Sequence, residues 1–134
     1  MDKSISIQSI LAIFLGGGIG SVLRYLLGVA LPLCSNSSFP IHTLIANVVG
    51  CFVIGFLFAV FSFSLNLSQE LKLFLTVGFC GGLTTFSTFS LDIITLYSQN
   101  KMLSCLYVTL SLILGVLAVV LGIWLGGSFA RNAT

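Results

Sequence analysis

Apolar positions fill this chain in four long runs divided by short polar breaks. The first extends from Ile5 to Leu33 and holds Arg24 within it. Pro32, Cys34 and the cluster Ser35-Asn36-Ser37-Ser38 form a short connection ending at Pro40. Ile41 to Phe63 is the second run, and Asn66, Ser68, Gln69, Glu70 and Lys72 mark the next break. The third run covers about Leu71 to Tyr97, closed by Ser98-Gln99-Asn100-Lys101; the fourth covers Met102 to Leu125. A bilayer core about 30 Å thick takes roughly 20 apolar helical residues, so every run is long enough to cross. The pattern predicts an all-α membrane protein with one domain of four transmembrane helices, spanning residues 5–33, 41–63, 71–97 and 102–125. Short loops make neighbouring helices antiparallel.

The third run is broken at its centre. It contains Gly78-Phe79-Cys80-Gly81-Gly82-Leu83-Thr84-Thr85-Phe86-Ser87-Thr88-Phe89-Ser90. Glycine in a helix interior costs about 1 kcal/mol relative to alanine. Thr84 or Thr85 suits the cap of a new helix. The span therefore reads as two half-helices with a non-helical joint near the bilayer midplane. Backbone groups freed there must face protein, water or an ion. The competing reading is an unbroken, glycine-lined helix crossing whose hydroxyls bond back to the preceding turn.

Composition removes the soluble alternatives. Of 134 residues, 57% are hydrophobic and 6% charged, against about a quarter charged in soluble domains. Lipid is the solvent for most of the surface. A net charge of +2 is too small to imply a nucleic-acid partner. Cys34, Cys51, Cys80 and Cys105 form no CxxC pair and read as small packed hydrophobes, with a Cys34–Cys105 bridge left open. The first run lacks an A-x-A cleavage site and reads as a retained span. Lys3, Lys72 and Arg131 fall on one membrane side, with Lys101 and Arg24 towards the other. That split barely instructs insertion. Either a small bias sets the topology, or the chain inserts both ways and pairs as an antiparallel dimer.

Function is to be sought among polar residues inside the spans, because each is costly there without a partner. Asn47 offers an amide that suits a small anion and an interhelical hydrogen bond equally. Phe86 and Phe89, three apart, share a helix face; they pack, or they turn electropositive ring edges to an anion. Tyr107 and Ser111, four apart, form a hydroxyl stripe that Gly115 continues. Arg24 snorkels to an interface or attracts an anion at a vestibule. His42 is the sole histidine, placed at an interface, and Asp92 lies beyond the phenylalanines. The glycines of Gly16-Gly17-Gly18-Ile19-Gly20 lie in a span and serve packing, not a dinucleotide. Paired carboxylates, a histidine-rich metal set and a Ser-His-Asp set are all missing, which argues against an enzyme.

Taken in order, these stretches resemble the CrcB/Fluc family of fluoride channels. The resemblance rests on Gly20-Ser21-Val22-Leu23-Arg24-Tyr25, Thr43-Leu44-Ile45-Ala46-Asn47-Val48-Val49-Gly50, Gly81-Gly82-Leu83-Thr84-Thr85-Phe86-Ser87-Thr88-Phe89-Ser90, and Tyr107 and Ser111 with Gly115–Gly122. The third-span motif is the most specific. The resemblance implies a dual-topology homodimer in the cell membrane, with two antiparallel pores that export fluoride passively. Asn47, Phe86 and Phe89 would line each pore, Tyr107 and Ser111 would form the hydroxyl track, and Thr43 would lie on the same route. Arg24 matches the family's first-span arginine. A structural, non-transported Na+ would bind at the dimer centre through the backbone carbonyls of Gly81 and Thr84 from both subunits. Two positions depart: Gly115 stands where some relatives carry a hydroxyl, and His42 where a smaller residue is common. The rivals are a proton-coupled drug exporter, which needs a carboxylate in its first span, and a non-transporting assembly subunit.

Overall fold

A computed structural model describes residues 6–31, 39–63 and 67–132. The proposed Cys34–Cys105 bridge lies outside the described residues. Helix α1 is Ile7–Ala30, started by the Ser6 side chain accepting from the Gln8 N–H. Helix α2 is Ile41–Phe63. Helix α3, residues 69–83, begins at Ser68, whose side chain caps the Leu71 N–H, and becomes a π-helix over Phe74–Cys80 before a last α-turn at Gly81–Leu83. Helix α4 is Phe86–Gln99 and α5 is Lys101–Asn132. Four helical segments are long and apolar enough to cross a membrane, α3 and α4 together making one of them. This is an all-helical, multi-pass membrane protein.

Small residues decide how the helices meet. In lipid there is little hydrophobic force between helices, so close backbone approach and packing must supply the association. Gly16 and Gly20 of α1 face Gly78 and Gly82 of α3, both pairs at four-residue spacing. A Cβ on Gly78 would lie 2.9 Å from the Ile13 carbonyl and 3.0 Å from Gly16 Cα, and one on Gly82 would lie 3.0 Å from Ser21 N. The α2–α5 interface uses the same device. A Cβ on Gly122 would lie 2.8 Å from Phe56 N, and one on Gly126 would lie 3.1 Å from Ala59 Cβ. Gly126 and the buried Ala130 also explain why α5 continues to Asn132, past the Leu125 boundary read from the sequence. The small residues beyond Leu125 carry on the packing seam.

The break in the third span lies at the threonines read as a helix cap, three residues beyond the Gly81-Gly82 pair. Gly81 is helical, at φ −64° and ψ −36°. The joint is Thr84–Thr85, with Thr84 at φ −85°, ψ 154° and Thr85 at φ −152°, ψ 119°. The glycines are used for contact with α1, and the helix ends where two β-branched residues turn extended.

Candidate functional site

Two of the helical hydrogen bonds that would cross the joint are diverted to side chains. In a continuous helix, the Gly81 carbonyl would accept from Thr85 N–H and the Thr84 carbonyl from Thr88 N–H. Instead Thr85 N–H donates to Asn47 Oδ1 at 2.8 Å, and Thr88 N–H donates to Thr85 Oγ1 at 3.2 Å. Asn47 Nδ2 in turn donates to the Thr85 carbonyl at 3.2 Å. The Asn47 amide thus replaces both neighbours that Thr85 loses by leaving the helix. Thr84 Oγ1 donates to the Cys80 carbonyl at 2.8 Å, while its methyl packs directly on Gly50, where a side chain would have no room. Asn47 and Gly50, three residues apart on one face of α2, together seat the joint.

Around this joint lie two clefts. The first, of about 510 Å³, is lined by Asn47, Gly81, Thr84, Phe86, Phe89 and Ser111, together with Thr85. The second, of about 450 Å³, is lined by Ser21, Arg24, His42, Thr43 and Thr88, and again Thr85. Thr85 borders both, so the clefts meet at the break. The residues singled out in the sequence divide between them: Asn47, Phe86, Phe89, Ser111, Gly81 and Thr84 share one cleft, and Thr43 and Arg24 share the other. Tyr107 lines neither.

Tyr107 is nevertheless at the centre of the packing. It is fully buried, its ring lies 5.3 Å from that of Phe89, and Phe39 meets it edge-on at 5.5 Å. Its hydroxyl donates to Asp92 Oδ2 at 3.1 Å. This bond escaped the sequence reading, although the signal was present. A carboxylate inside a span demands a donor, and Tyr107 lies across the tight turn that joins α4 to α5. Phe86 and Phe89 have ring centroids 6.0 Å apart, but their surroundings differ. Phe89 is half-buried against Tyr107, whereas Phe86 is 79% exposed in a single chain.

Two buried hydroxyls in this region lack a well-formed hydrogen bond, Thr43 Oγ1 and Ser111 Oγ. Thr43, only 1% exposed, lies within reach of the Tyr107 hydroxyl; Ser111 has no such neighbour among the described residues. A helical hydroxyl ordinarily bonds back one turn, as Ser90, Thr95 and Thr109 do at 2.8–3.0 Å. Leaving a hydroxyl unsatisfied in an apolar setting costs about 1–3 kcal/mol. Among the described residues no group of histidine, cysteine or carboxylate side chains is placed to hold a metal. The oxygen donors left over at the joint are backbone carbonyls.

Known proteins place this architecture. A family model described as CrcB-like protein, camphor resistance (CrcB), matches residues 11–123. The chain is 43% identical over 119 residues to the fluoride-specific ion channel FluC of Phocaeicola vulgatus, covering 88% of this chain and 98% of that one. It is 42% identical over 127 residues to the protein of the same name from Serratia proteamaculans, covering 90% and 98%. The Bacteroides fragilis FluC is 45% identical over 126 residues, covering 91% and 98%. The match runs through all four spans and both sides of the break, and the chain belongs to the CrcB family of multi-pass membrane proteins.

Proposed function

We propose that this chain is a fluoride-selective passive channel that lets cytoplasmic fluoride leave down its electrochemical gradient. The observation that carries the proposal is the buried hydroxyl of Ser111, without a hydrogen-bond partner, in the cleft it shares with Asn47, Phe86 and Phe89. Thr43, whose hydroxyl is in reach of Tyr107, lines the second cleft, which Thr85 also borders. Fluoride is small and strongly hydrated, so a narrow route must replace its water with donors. Hydroxyls, the spare Asn47 N–H and aromatic ring edges supply donors without a full charge. Sites of that kind bind weakly enough for release. The names of the relatives agree with this chemistry. A proton-coupled exporter fits less well, because Asp92 is engaged by Tyr107 and borders neither cleft. Nothing in the site is arranged to break a bond, so the reading is a channel and not an enzyme.

A second copy of the chain, inserted antiparallel, completes the pathway in this proposal. One chain leaves Phe86 exposed and the first cleft open along its side. Backbone groups released at the joint are costly where they face lipid, and a partner placed against Gly81, Thr84 and Phe86 would cover them. The two-fold arrangement then carries two pores of opposite direction. At its centre the Gly81 and Thr84 carbonyls of both copies, deprived of helical donors, would hold a structural Na+. Neutral hard oxygens suit a hard cation. When bound, the cation supplies positive charge that fixes four carbonyls between two breaks. Asn47 and Gly50 do the remaining work by keeping Thr84 and Thr85 extended.

Fluoride efflux from reconstituted liposomes tests the function. Efflux above protein-free liposomes, accelerated by valinomycin in potassium buffer, is the expected result, and its absence would sink the channel reading. Phe86→Ile and Phe89→Ile should each lower flux by at least ~100-fold, the loss of about 2.7 kcal/mol of anion stabilisation, with the dimer preserved by cross-linking. Unaltered flux removes that ring from the pathway. Exchange of Na+ for N-methylglucamine throughout purification should weaken the dimer, and an unchanged dimer rules out the cation.

A further inference from the structure

Two thiols border the first cleft and take no part in the fluoride route. Cys51 of α2 and Cys80 of α3 both line it, and both are free, Cys80 buried and Cys51 half-buried. Their placement follows from the clamp at the joint. Asn47 holds Thr85, and the Thr84 methyl packs on Gly50. Cys51 lies one turn beyond Asn47. Cys80 lies one turn before Thr84, whose N–H and Oγ1 donate to the Cys80 carbonyl at 3.0 and 2.8 Å. Because α2 and α3 run antiparallel, those two turns lead towards the same membrane face. Each turn rises about 6 Å, so the cysteines stand at one depth on neighbouring helices, within electrostatic reach of each other.

We propose that Cys51 and Cys80 form a two-thiol site for a soft, linearly coordinated divalent cation of the mercury(II) class, and that its occupancy plugs the cleft. The binding half stands without the channel reading, and the plugging half rests on it. Neither sulfur makes a hydrogen bond to a described residue, so ligation breaks no existing bond between side chains. The Cys51 sulfur lies 3.6 Å from where a Gly115 side chain would begin, so the glycine of α5 leaves it room beside the cleft.

Sulfur ligands select soft metals. Among the described residues no third histidine, cysteine or carboxylate joins the pair, which leaves a tetrahedral ion such as Zn2+ two ligands short. A cation satisfied by two ligands is the remaining fit. Charge narrows the class further. Ligation takes a proton from each thiol, so two thiolates and a divalent ion make a neutral complex. Silver(I) or copper(I) on the same pair would leave a net negative charge, which is expensive in an apolar cleft. With mercuric chloride the step balances. Two S–H and two Hg–Cl bonds break, two Hg–S bonds form, and two protons and two chlorides leave, with no change of oxidation state. The bridging atom then sits in the cleft that Asn47, Phe86, Phe89 and Ser111 share, in the path of an anion passing there.

Two measurements on the full-length protein carrying Cys34→Ser and Cys105→Ser, which keeps only this pair of the four cysteines, test this. The first needs no transport: intact mass in micelles after mercuric chloride and a wash with excess monothiol. The expected product carries one mercury per chain in place of two protons. Cys51→Ala and Cys80→Ala, each with one thiol left, should lose the metal to the same wash, because no second sulfur recaptures it. Cys51→Ser and Cys80→Ser serve where an alanine variant fails to fold. Metal retained by a single-thiol variant, lost from the pair, or matched by Zn2+ overturns the site. A mercury-linked dimer on a denaturing gel also overturns it, since the second sulfur would then belong to another chain. The second measurement is liposomal fluoride flux. Mercury should bring flux down to the protein-free level, a dithiol should restore it, and the single-thiol variants should conduct again after the monothiol wash. Retained metal with undiminished flux overturns the plug. Retained metal in a protein that carries no flux before treatment leaves the site standing and removes the channel reading.

Discussion

Replacing Asn47 by alanine separates a structural role for this residue from an anion-binding one. The amide makes two hydrogen bonds to one peptide unit, accepting from Thr85 N–H at 2.8 Å and donating to Thr85 C=O at 3.2 Å. Alanine removes both. Thr85 sits in an extended joint and has no helical neighbour to return to, so its N–H and carbonyl would be orphaned together. At about 1–3 kcal/mol for each buried unsatisfied group, the loss is about 2–6 kcal/mol. Water entering the adjoining clefts pulls the figure towards the lower end. Asn47→Asp keeps the acceptor but turns the donor into an oxygen that faces the Thr85 carbonyl, so it too is destabilised, by about half as much or more if ionised. Reversible unfolding by dodecyl sulfate in mixed micelles gives the free energy, at a fixed protein concentration because association contributes to stability. The prediction is a fall of at least 2 kcal/mol for Asn47→Ala, roughly the lower bound above, with flux lost. A variant within about 0.5 kcal/mol of wild type, the scatter of a neutral substitution, would show that Asn47 does not hold the joint.

Gly20→Ala drives a methyl into the Phe79 carbonyl and to 2.8 Å from Leu83 N, backbone atoms that cannot rotate away; overpacking of this kind costs about 1–3 kcal/mol or more. Gly18→Ala, on the same helix but with nothing within 4 Å of the added atom, should be neutral in the same unfolding assay, and equal effects would contradict the packing account. Ser111→Ala removes a hydroxyl that bonds to no described residue, and Thr43→Val removes one whose candidate partner is the Tyr107 hydroxyl. Stability should hold or rise by about 1 kcal/mol, while fluoride flux falls ~10-fold, the equivalent of 1.4 kcal/mol of lost anion stabilisation. Loss of stability without loss of flux would make these hydroxyls ordinary packing groups.

The four spans, the break and the threonine that caps the second half-helix were legible in the sequence; that the glycines before it stay helical was not. Helix propensities measured in water count Gly81 and Gly82 as breakers. In a bilayer the same residues let backbones touch, and Gly82 against Gly17 and Ser21 recovers in contact what the helix loses in propensity. The actual joint follows from partners that are distant in sequence. Thr85 leaves the helix because Asn47, 38 residues earlier, is placed to take both of its peptide groups. Asn47 is visibly anomalous in an apolar run, but its partner is set by how α2 lies against α3. The π-helix at Phe74–Cys80 has no residue signature of its own; it falls on the stretch where α3 presses on α1. Arg24 and Thr43 were recognised as polar candidates, yet nothing in their spacing tells that they share a cleft separate from that of Phe86 and Ser111.

The meeting of the two clefts at Thr85 bears on how one short break serves charges of opposite sign. An extended pair of residues turns successive peptide groups in opposite directions. In the proposed channel the carbonyls of Gly81 and Thr84, whose helical donors Thr85 N–H and Thr88 N–H bond elsewhere, would be the site for positive charge. On the α4 side a new helix starts, capped by the Thr85 hydroxyl through Thr88 N–H, and its N-terminus presents positive potential. Phe86 and Phe89 occupy that first turn. Ring edges directed into a weakly positive, uncharged environment attract an anion without trapping it, which a lysine or arginine at the same depth would do. The full charge, Arg24, is kept to the outer cleft. The proposed route would therefore grade from charge at the mouth to dipoles at the centre. The Asn47 clamp makes that grading permanent, because it removes the helical alternative in which Thr85 would return to Gly81 and both half-sites would vanish together.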